Sequence, residues 1–535
     1  MIGNYIIQYE SDAKGAEKMS DSLVKRRMNN AARLTVHGDL ENVNFYENEW
    51  ASYCIVGKNV CFEKIKQIIE SYDFSNATYE LAKISGEFLV VFVSTTSALI
   101  YKSFEYEVPV FWNGNFHSFT VSSFHENITD RVKVDSLAVF CFGDAVCLWE
   151  DINIVSNGQM IVLDKSGCNQ CIMRLNSDAK SCGLKGKKLD ELGERAYQLL
   201  TNSVKRKIRG KRNLGIMLSS GIDSSALLRV LYELNADVKV FTWASENELV
   251  SESKTSKALA HEFGYDFVEI FVDKAPYNDI TTLNQNGNCP VFRSVSPWWE
   301  RACNIAKDLG VTTLISGHYA SVFGGQFSLK SFPWALKLSV LRNALVDPHF
   351  LIYKKNATAT DLMLKYRKMD ILTETAKATV LSYICGRSDI NEMALQEYCY
   401  YRNFFLPMGI SHCAPYLDSE IVSFCEEIPI EYKSSYYVGK MINKIVLRAS
   451  MINRLPKSIV NRTYSANLDY MVEKNLDRFC EKSQLIISSD SFLVRNHVIN
   501  YDRFNQAVRD PVVRHENAEA IINAILLDQW LRNKE

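Results

Sequence analysis

No stretch of this 535-residue sequence reaches the ~18 consecutive apolar residues that a membrane span requires. The longest apolar segments, Phe88 to Tyr101 and Leu137 to Trp149, are broken by Ser94-Thr95-Thr96-Ser97 and by Gly143-Asp144. The opening MIGNYIIQYE lacks a basic flank, an adequate apolar run and a small-residue cleavage site, so a cytoplasmic location is expected. Proline (11) and glycine (24) are scarce, which excludes a low-complexity or fibrous chain. An excess of either charge is also missing. The 61 Lys+Arg are offset by 62 Asp+Glu, so no global field steers the protein toward nucleic acid or an anionic membrane, and any phosphate chemistry must be local. The 14 cysteines accompany no export signal and read as reduced, small hydrophobic residues rather than a disulfide framework. The one CxxC, Cys168 to Cys171, has no second pair and no nearby His, so a four-ligand zinc set is not completed.

What is present falls into two regimes. Up to about Arg174, short strand-type runs alternate with turns: Glu87 to Ser94, Ala98 to Ser103, Val108 to Trp112, Phe116 to Ser122, Gln159 to Asp164 and Cys171 to Leu175. Asn113-Gly114 suits a tight hairpin, and Asp135 to Phe142 reads as a helix. The polar stretch Ser177 to Lys188 is the expected boundary. Beyond it strands and helices alternate: helix Leu189 to Lys207, strand Leu214 to Leu218, helix Ser224 to Asn235, strand Val238 to Ala244, helix Ser253 to Phe263, strand Phe267 to Val272, helix Pro297 to Leu309 and strand Val311 to Ser316. Such short units join best as right-handed crossovers in a parallel α/β sheet. After Lys330 the chain reads as mainly helical, ending in an apolar helix from Ala518 to Trp530.

The chemistry concentrates where Gly215-Ile-Met-Leu-Ser-Ser-Gly-Ile-Asp-Ser-Ser225 runs off a strand into a helix. A helix N-terminus at the carboxyl end of a parallel strand offers unpaired N–H groups to a phosphate. Ser219, Ser220, Ser224 and Ser225 add hydroxyl donors, Gly221 permits close backbone approach, and Asp223 is a candidate Mg²⁺ ligand. An ordinary serine N-cap is the competing explanation, and the strand, helix and Asp spacing together favour a nucleotide site.

This loop resembles the Ser-Gly-Gly-x-Asp-Ser ATP-pyrophosphatase loop of the asparagine synthetase superfamily. Asn288-Cys-Pro290 is similar to its Asp-Glu-Pro segment, and Leu314-Ile-Ser-Gly317 with Phe323-Gly-Gly325 to Ser-Gly-Glu-Gly-x-Asp-Glu-Leu-Phe-Gly-Gly. Ala414-Pro-Tyr-Leu-Asp418 resembles Val-Pro-Phe-Leu-Asp, and Lys444-Ile-Val-Leu-Arg448 with Leu455-Pro456 and Arg462 resembles the C-terminal Lys-x-x-Leu-Arg, Leu-Pro, Arg run. Leu81 to Phe88 through Ser122 looks like the N-terminal glutaminase-type sandwich. The resemblance implies an α+β layered sandwich over residues 1–180, glutaminase-like without a nucleophilic Cys, and an α/β Rossmann-like synthetase over 189–535 with a helical C-terminal part.

The implied chemistry is activation of a carboxylate by Mg²⁺-ATP and attack of an amine on the acyl-adenylate. Ser316 and Gly317 join the serine loop in binding nucleotide. Glutamine-using members begin with a nucleophilic Cys; Ile2 follows Met1 here and the nearest Cys is Cys54, so another amine is expected to attack. After Ser316-Gly317, asparagine synthetases carry Glu and β-lactam synthetases Tyr. The His318 found here resembles lasso peptide cyclases and suits a general base. A precursor peptide is then the implied substrate and a leader peptidase an accompanying partner. An ammonia-dependent asparagine synthetase, a β-lactam-forming relative and a non-catalytic scaffold are the alternatives.

Three positions depart from the family pattern. Ser220 replaces the first Gly, Ser321 stands where a second metal-binding Asp is expected, and Tyr464 replaces a lysine that stabilises departing pyrophosphate, leaving Arg462, Lys444 or Arg448 as substitutes. Either they are compensated or the ATP site is weakened. The basic block Lys205 to Arg212 reads as a solvated loop, with an acidic partner as the minority alternative. Tyr398, Tyr400, Tyr401, Phe404 and Phe405 have core-type helical spacing.

Overall fold

The computed structural model describes residues 5–10, 24–29, 32–38, 42–48, 50–58, 60–71, 74–143, 146–172, 188–246, 251–272, 289–290, 296–324, 369–386, 398–437, 440–462, 473, 476–477, 480 and 487–534. The expected boundary at 177–187, together with Asn288, Gly325 and Tyr464, lies outside them.

Two antiparallel six-stranded sheets occupy the first part of the chain. One contains β1 (Tyr5–Glu10), β2 (Val24–Asn29), β3 (Ala32–Gly38), β8 (Val110–Gly114), β9 (Ser118–Ser122) and β10 (Asn153–Val155) in the order β10-β8-β9-β1-β3-β2. The other contains β4 (Val43–Glu47), β5 (Ala51–Lys58), β6 (Glu87–Ser94), β7 (Ser97–Lys102), β11 (Gln159–Asp164) and β12 (Gly167–Ile172) in the order β12-β11-β7-β6-β5-β4. The run Phe-Leu-Val-Val-Phe-Val in β6 explains the layering, because alternate side chains leave opposite faces of a strand. Leu89, Val91 and Val93 pack between the sheets, whereas Phe88, Val90 and Phe92 pack under α1 (Phe62–Glu70) and α2 (Phe74–Ala82). On the far side α3 (Val134–Phe142) joins Phe111 and the C-terminal helix Ala518–Arg532 in another apolar cluster.

The expected hairpin at Asn113-Gly114 is displaced. The strand continues through Gly114, which pairs with Phe119, and the reversal is made by Asn115, whose Oδ1 accepts from the His117 and Ser118 amides. A local side-chain acceptor outcompetes the Asn-Gly preference here.

A five-stranded parallel sheet follows, in the order β15-β14-β13-β16-β17, from β13 (Leu214–Met217), β14 (Val238–Ala244), β15 (Phe267–Phe271), β16 (Thr313–Ile315) and β17 (Ser411–Cys413). After Lys330 the described residues are mainly helical as expected, and β17 and the hairpin of Ser434–Tyr437 with Lys440–Asn443 are strands the sequence did not announce. Three residues are too few for a strand periodicity to register. The helices α4 (Leu189–Ile208), α5 (Ile222–Glu233) and α6 (Ser253–Glu262) share one cluster with Leu214 and Ile216, and the helix Ser296–Asp308 covers the other face through Trp298, Ala302 and Cys303. No helix among the described residues is long and apolar enough to cross a membrane.

Helix α4 meets the helix Ile445–Ser450 backbone to backbone at Gly193. A Cβ there would lie 2.9 Å from Ala449 C and from Ser450 N. Gly193→Ala is expected to destabilise the fold by ~1–3 kcal/mol through overpacking, less the ~1 kcal/mol that alanine returns in helix propensity. A thermal midpoint equal to or above that of the wild type would contradict this contact.

Candidate functional site

The sheet order places β14 and β15 to one side of β13, and β16 and β17 to the other. The crevice at the carboxyl ends of β13 and β16 is therefore the switch point at which parallel sheets take ligands. Both loops singled out in the sequence leave these two strands. They touch, because a Cβ on Gly317 would lie 3.1 Å from Asp223 Cβ and 3.2 Å from Ser224 N.

The serine loop braces itself. Ser219 N donates to Ser224 Oγ at 2.9 Å, the two hydroxyl oxygens are 3.0 Å apart, and Gly221 N donates to Ser219 Oγ at 3.3 Å. Ser224 Oγ and Ser225 Oγ donate to the Ser219 carbonyl at 3.0 and 3.4 Å. Ser219, Ser224 and Ser225 thus hold the turn among themselves. Ser220 Oγ is buried without a hydrogen-bond partner, and Gly221 N-caps α5, whose first amides remain to bind an anion.

Asp223 opens that helix. Its carbonyl accepts from Tyr416 Oη at 2.8 Å, and Lys444 Nζ donates to Oδ2 at 2.5 Å. Oδ1 is buried and has no partner. Lys444 has φ +59°, a left-handed conformation uncommon for lysine and of the kind that clusters at functional sites. Arg448 lies close by, bonded to the Asn443 and Val460 carbonyls; burial pushes its pKa down, with Asp223 acting the other way. Arg462 is ion-paired with Glu252 at the N-cap of α6. No described contact joins Arg462 to Asp223, so Lys444 is the cation placed at that carboxylate.

A magnesium ion fits in a restricted way. Asp223 Oδ1 is an orphaned acceptor suited to it, but Ser321 is exposed and the described residues contain no group of three or more His, Cys, Asp or Glu that could hold a metal. One carboxylate with phosphate oxygens and water is a common shell for Mg²⁺.

His318 follows β16. Its amide donates to Ser316 Oγ at 3.3 Å, and its ring stands edge-on to Trp299, with centroids 5.5 Å apart, and 5.3 Å from the ring of His412. Ser316 Oγ is 2.8 Å from His412 Nε2. The aromatic cluster Tyr398 to Phe405 is buried core as expected, and its π-helical turn Tyr401–Phe405 sets Phe405 against both Trp299 and His412. His412, Trp299 and Glu107 were not singled out in the sequence. His412 stands two residues before the Ala414-Pro-Tyr-Leu-Asp418 segment, and this proximity is the signal that could have found it.

Of the basic block, only the second half, Arg209 to Arg212, is the expected exposed turn. The first half is the last turn of α4, where Arg206 pairs with Asp418 and Glu420, and the buried Lys207 lies 3.4 Å from Glu107 and 3.6 Å from Glu87.

Two solved structures are similar at TM-scores too low to carry an argument. Glutamine phosphoribosylpyrophosphate amidotransferase from B. subtilis is 8% identical with a TM-score of 0.17, covering 59% of this chain and 75% of that one. An allosteric regulatory enzyme of purine biosynthesis is 11% identical with a TM-score of 0.18, covering 59% and 74%. A Methanocaldococcus jannaschii protein named putative glutamine-hydrolyzing asparagine synthetase 1 is 23% identical over 341 residues, 56% of this chain. The chain spans 54% of that relative's length. The asparagine synthase family profile matches residues 195–395 and 408–532, which include the serine loop, His318, Lys444 and Arg462. With more than half of its length matched, the chain belongs to the asparagine synthase family.

Proposed function

We propose that the protein forms amide bonds at the expense of ATP through an acyl-adenylate, and that its substrate is a peptide closed into a macrolactam between its N-terminal amine and an Asp or Glu side chain, as in lasso peptides. The observation that carries the reading is the convergence of three groups on the switch-point crevice: the N-terminus of α5, the Asp223–Lys444 pair and the Ser316-Gly317-His318 turn. A carboxylate oxygen of the substrate attacks the α-phosphorus of ATP and pyrophosphate leaves. The amine then attacks the acyl carbon, AMP leaves, and His318 takes the proton that the ammonium sheds.

The chain's groups divide this work. The free amides of α5 hold phosphate oxygens, and Lys444 stabilises charge that grows on departing pyrophosphate. Asp223 would hold Mg²⁺, which supplies shielding of the phosphate charge. The aromatic wall of Trp299 and Phe405 keeps water from the His318 side.

The test is incubation of the full chain with Mg-ATP and a candidate precursor peptide, followed by mass spectrometry. The expected product is one water lighter than the peptide, with AMP and pyrophosphate in equal amounts. Asparagine made from free aspartate and ammonia, with every peptide unchanged, would replace this reading with that of an asparagine synthetase. Absence of pyrophosphate release with either substrate would leave a non-catalytic scaffold.

A further inference from the structure

The segment between β7 and β8 leaves the antiparallel sandwich and reaches the parallel sheet. Phe104 packs with Val422, Glu105 Oε1 accepts from the Ser419 amide at 3.4 Å, and Glu107 goes further in. Glu107 Oε1 accepts from the Ala414 amide at 2.9 Å and lies 3.4 Å from Lys207 Nζ, while Oε2 lies 3.2 Å from His412 Nδ1. On the other side of that ring, Nε2 is 2.8 Å from Ser316 Oγ, which accepts from the amide of His318. The result is an unbroken chain of polar contacts from the sandwich to the turn that carries His318.

Its polarity follows from the chemistry of the donors. Burial raises the Glu107 pKa, but Lys207, His412 and the Ala414 amide outweigh it and hold the carboxyl at about 2, so Glu107 is an acceptor only. His412 Nδ1 must then carry a proton. In the neutral ring Nε2 then accepts from the Ser316 hydroxyl, whose lone pair receives the His318 amide. The arrangement has the geometry of a Ser-His-Glu triad, but Ser316 is 2% exposed, which suits an orienting hydroxyl and not a nucleophile.

We propose that Glu107, supplied by the N-terminal sandwich, is a positioning residue for the synthetase site, acting through His412 and Ser316 to fix the Ser316-Gly317-His318 turn. The inference rests on the proposed amide-forming role of His318 only in its kinetic part. The relay itself is read independently.

The experiment uses the full chain labelled with ¹⁵N-histidine, with the His412 signals assigned from the His412→Gln variant. The expected spectrum at neutral pH has a protonated Nδ1 and a bare Nε2, and Glu107→Gln abolishes that tautomer preference. A protonated Nε2, or a tautomer unchanged in E107Q, would overturn the relay whether or not the protein makes amides. With the peptide and Mg-ATP of the turnover assay, Glu107→Gln and Ser316→Ala should each lower kcat by about tenfold to a hundredfold, as expected for a lost charge-assisted contact, with KM for ATP within about twofold in Glu107→Gln. The double variant should be no slower than the worse single one, because both cut one chain. Additive losses, or a loss confined to KM, would refute positioning, as would labelling of Ser316 by a fluorophosphonate. Ser316→Ala removes one hydroxyl and keeps the kinetic test available if E107Q fails to fold.

Discussion

Asp223→Ala should lower ATP-dependent pyrophosphate release by about 10²- to 10³-fold, the range seen when one preorganised electrostatic group is removed from a charged transition state. The fold should survive. The Asp223–Lys444 pair is partly exposed, at 30% and 18% for the two side chains, and such pairs contribute ~1 kcal/mol or less to stability. The loss then belongs to the reaction, and its origin can be divided. If Asp223 serves only to hold Lys444, then Lys444→Met should cost as much as Asp223→Ala and the double variant no more. If Oδ1 binds the cation, Asp223→Asn should also need a higher magnesium concentration for half-maximal release, while Lys444→Met should not. Release in Asp223→Ala within about threefold of wild type at every magnesium concentration would remove the carboxylate from the site.

His318→Ala should separate the two half-reactions. Exchange of pyrophosphate into ATP should persist within about threefold, because the adenylate needs no base, whereas amide formation should fall by about 10²- to 10⁴-fold, the usual worth of a positioned general base. The measurement pairs the exchange assay with product mass spectrometry on one preparation. Closure within tenfold of wild type would deny His318 its role. Loss of both half-reactions would mean instead that the ring supports the turn, since it packs on Trp299 and next to His412.

How far the sequence could be read depended on whether a feature is local. The strands Glu87–Ser94, Gln159–Asp164 and Val238–Ala244 have the limits their sequences imply, because β-branched, aromatic and other apolar residues dominate each short run between turn residues. The strands before Phe62 were harder to delimit, since Val24–Asn29 reads Val-Lys-Arg-Arg-Met-Asn, with little apolar character to mark it. In the site, Asp223, Lys444 and His318 were legible because each sits in an ordered motif. What could not be read were partners fixed by tertiary contact. Nothing near Glu107 in sequence announces a histidine about three hundred positions away, and Lys207 inside a run of basic residues looks like solvated charge until two glutamates enclose it. The serine hydroxyls are ambiguous in the opposite sense, since residues that can donate to phosphate can equally donate to their own loop.

Lys207 also bears on how the molecule comes apart. Burial alone would lower its pKa, but Glu107, Glu87 and Glu105 raise it well above that of an ordinary lysine. Pulling the sandwich from the parallel sheet would part this ammonium from Glu87, Glu105 and Glu107 and return the charges on both sides to water. The join between the two halves is thus held by buried charges as well as by the packing of Phe104 on Val422, so it should loosen with salt and with pH in a way that a purely apolar join would not.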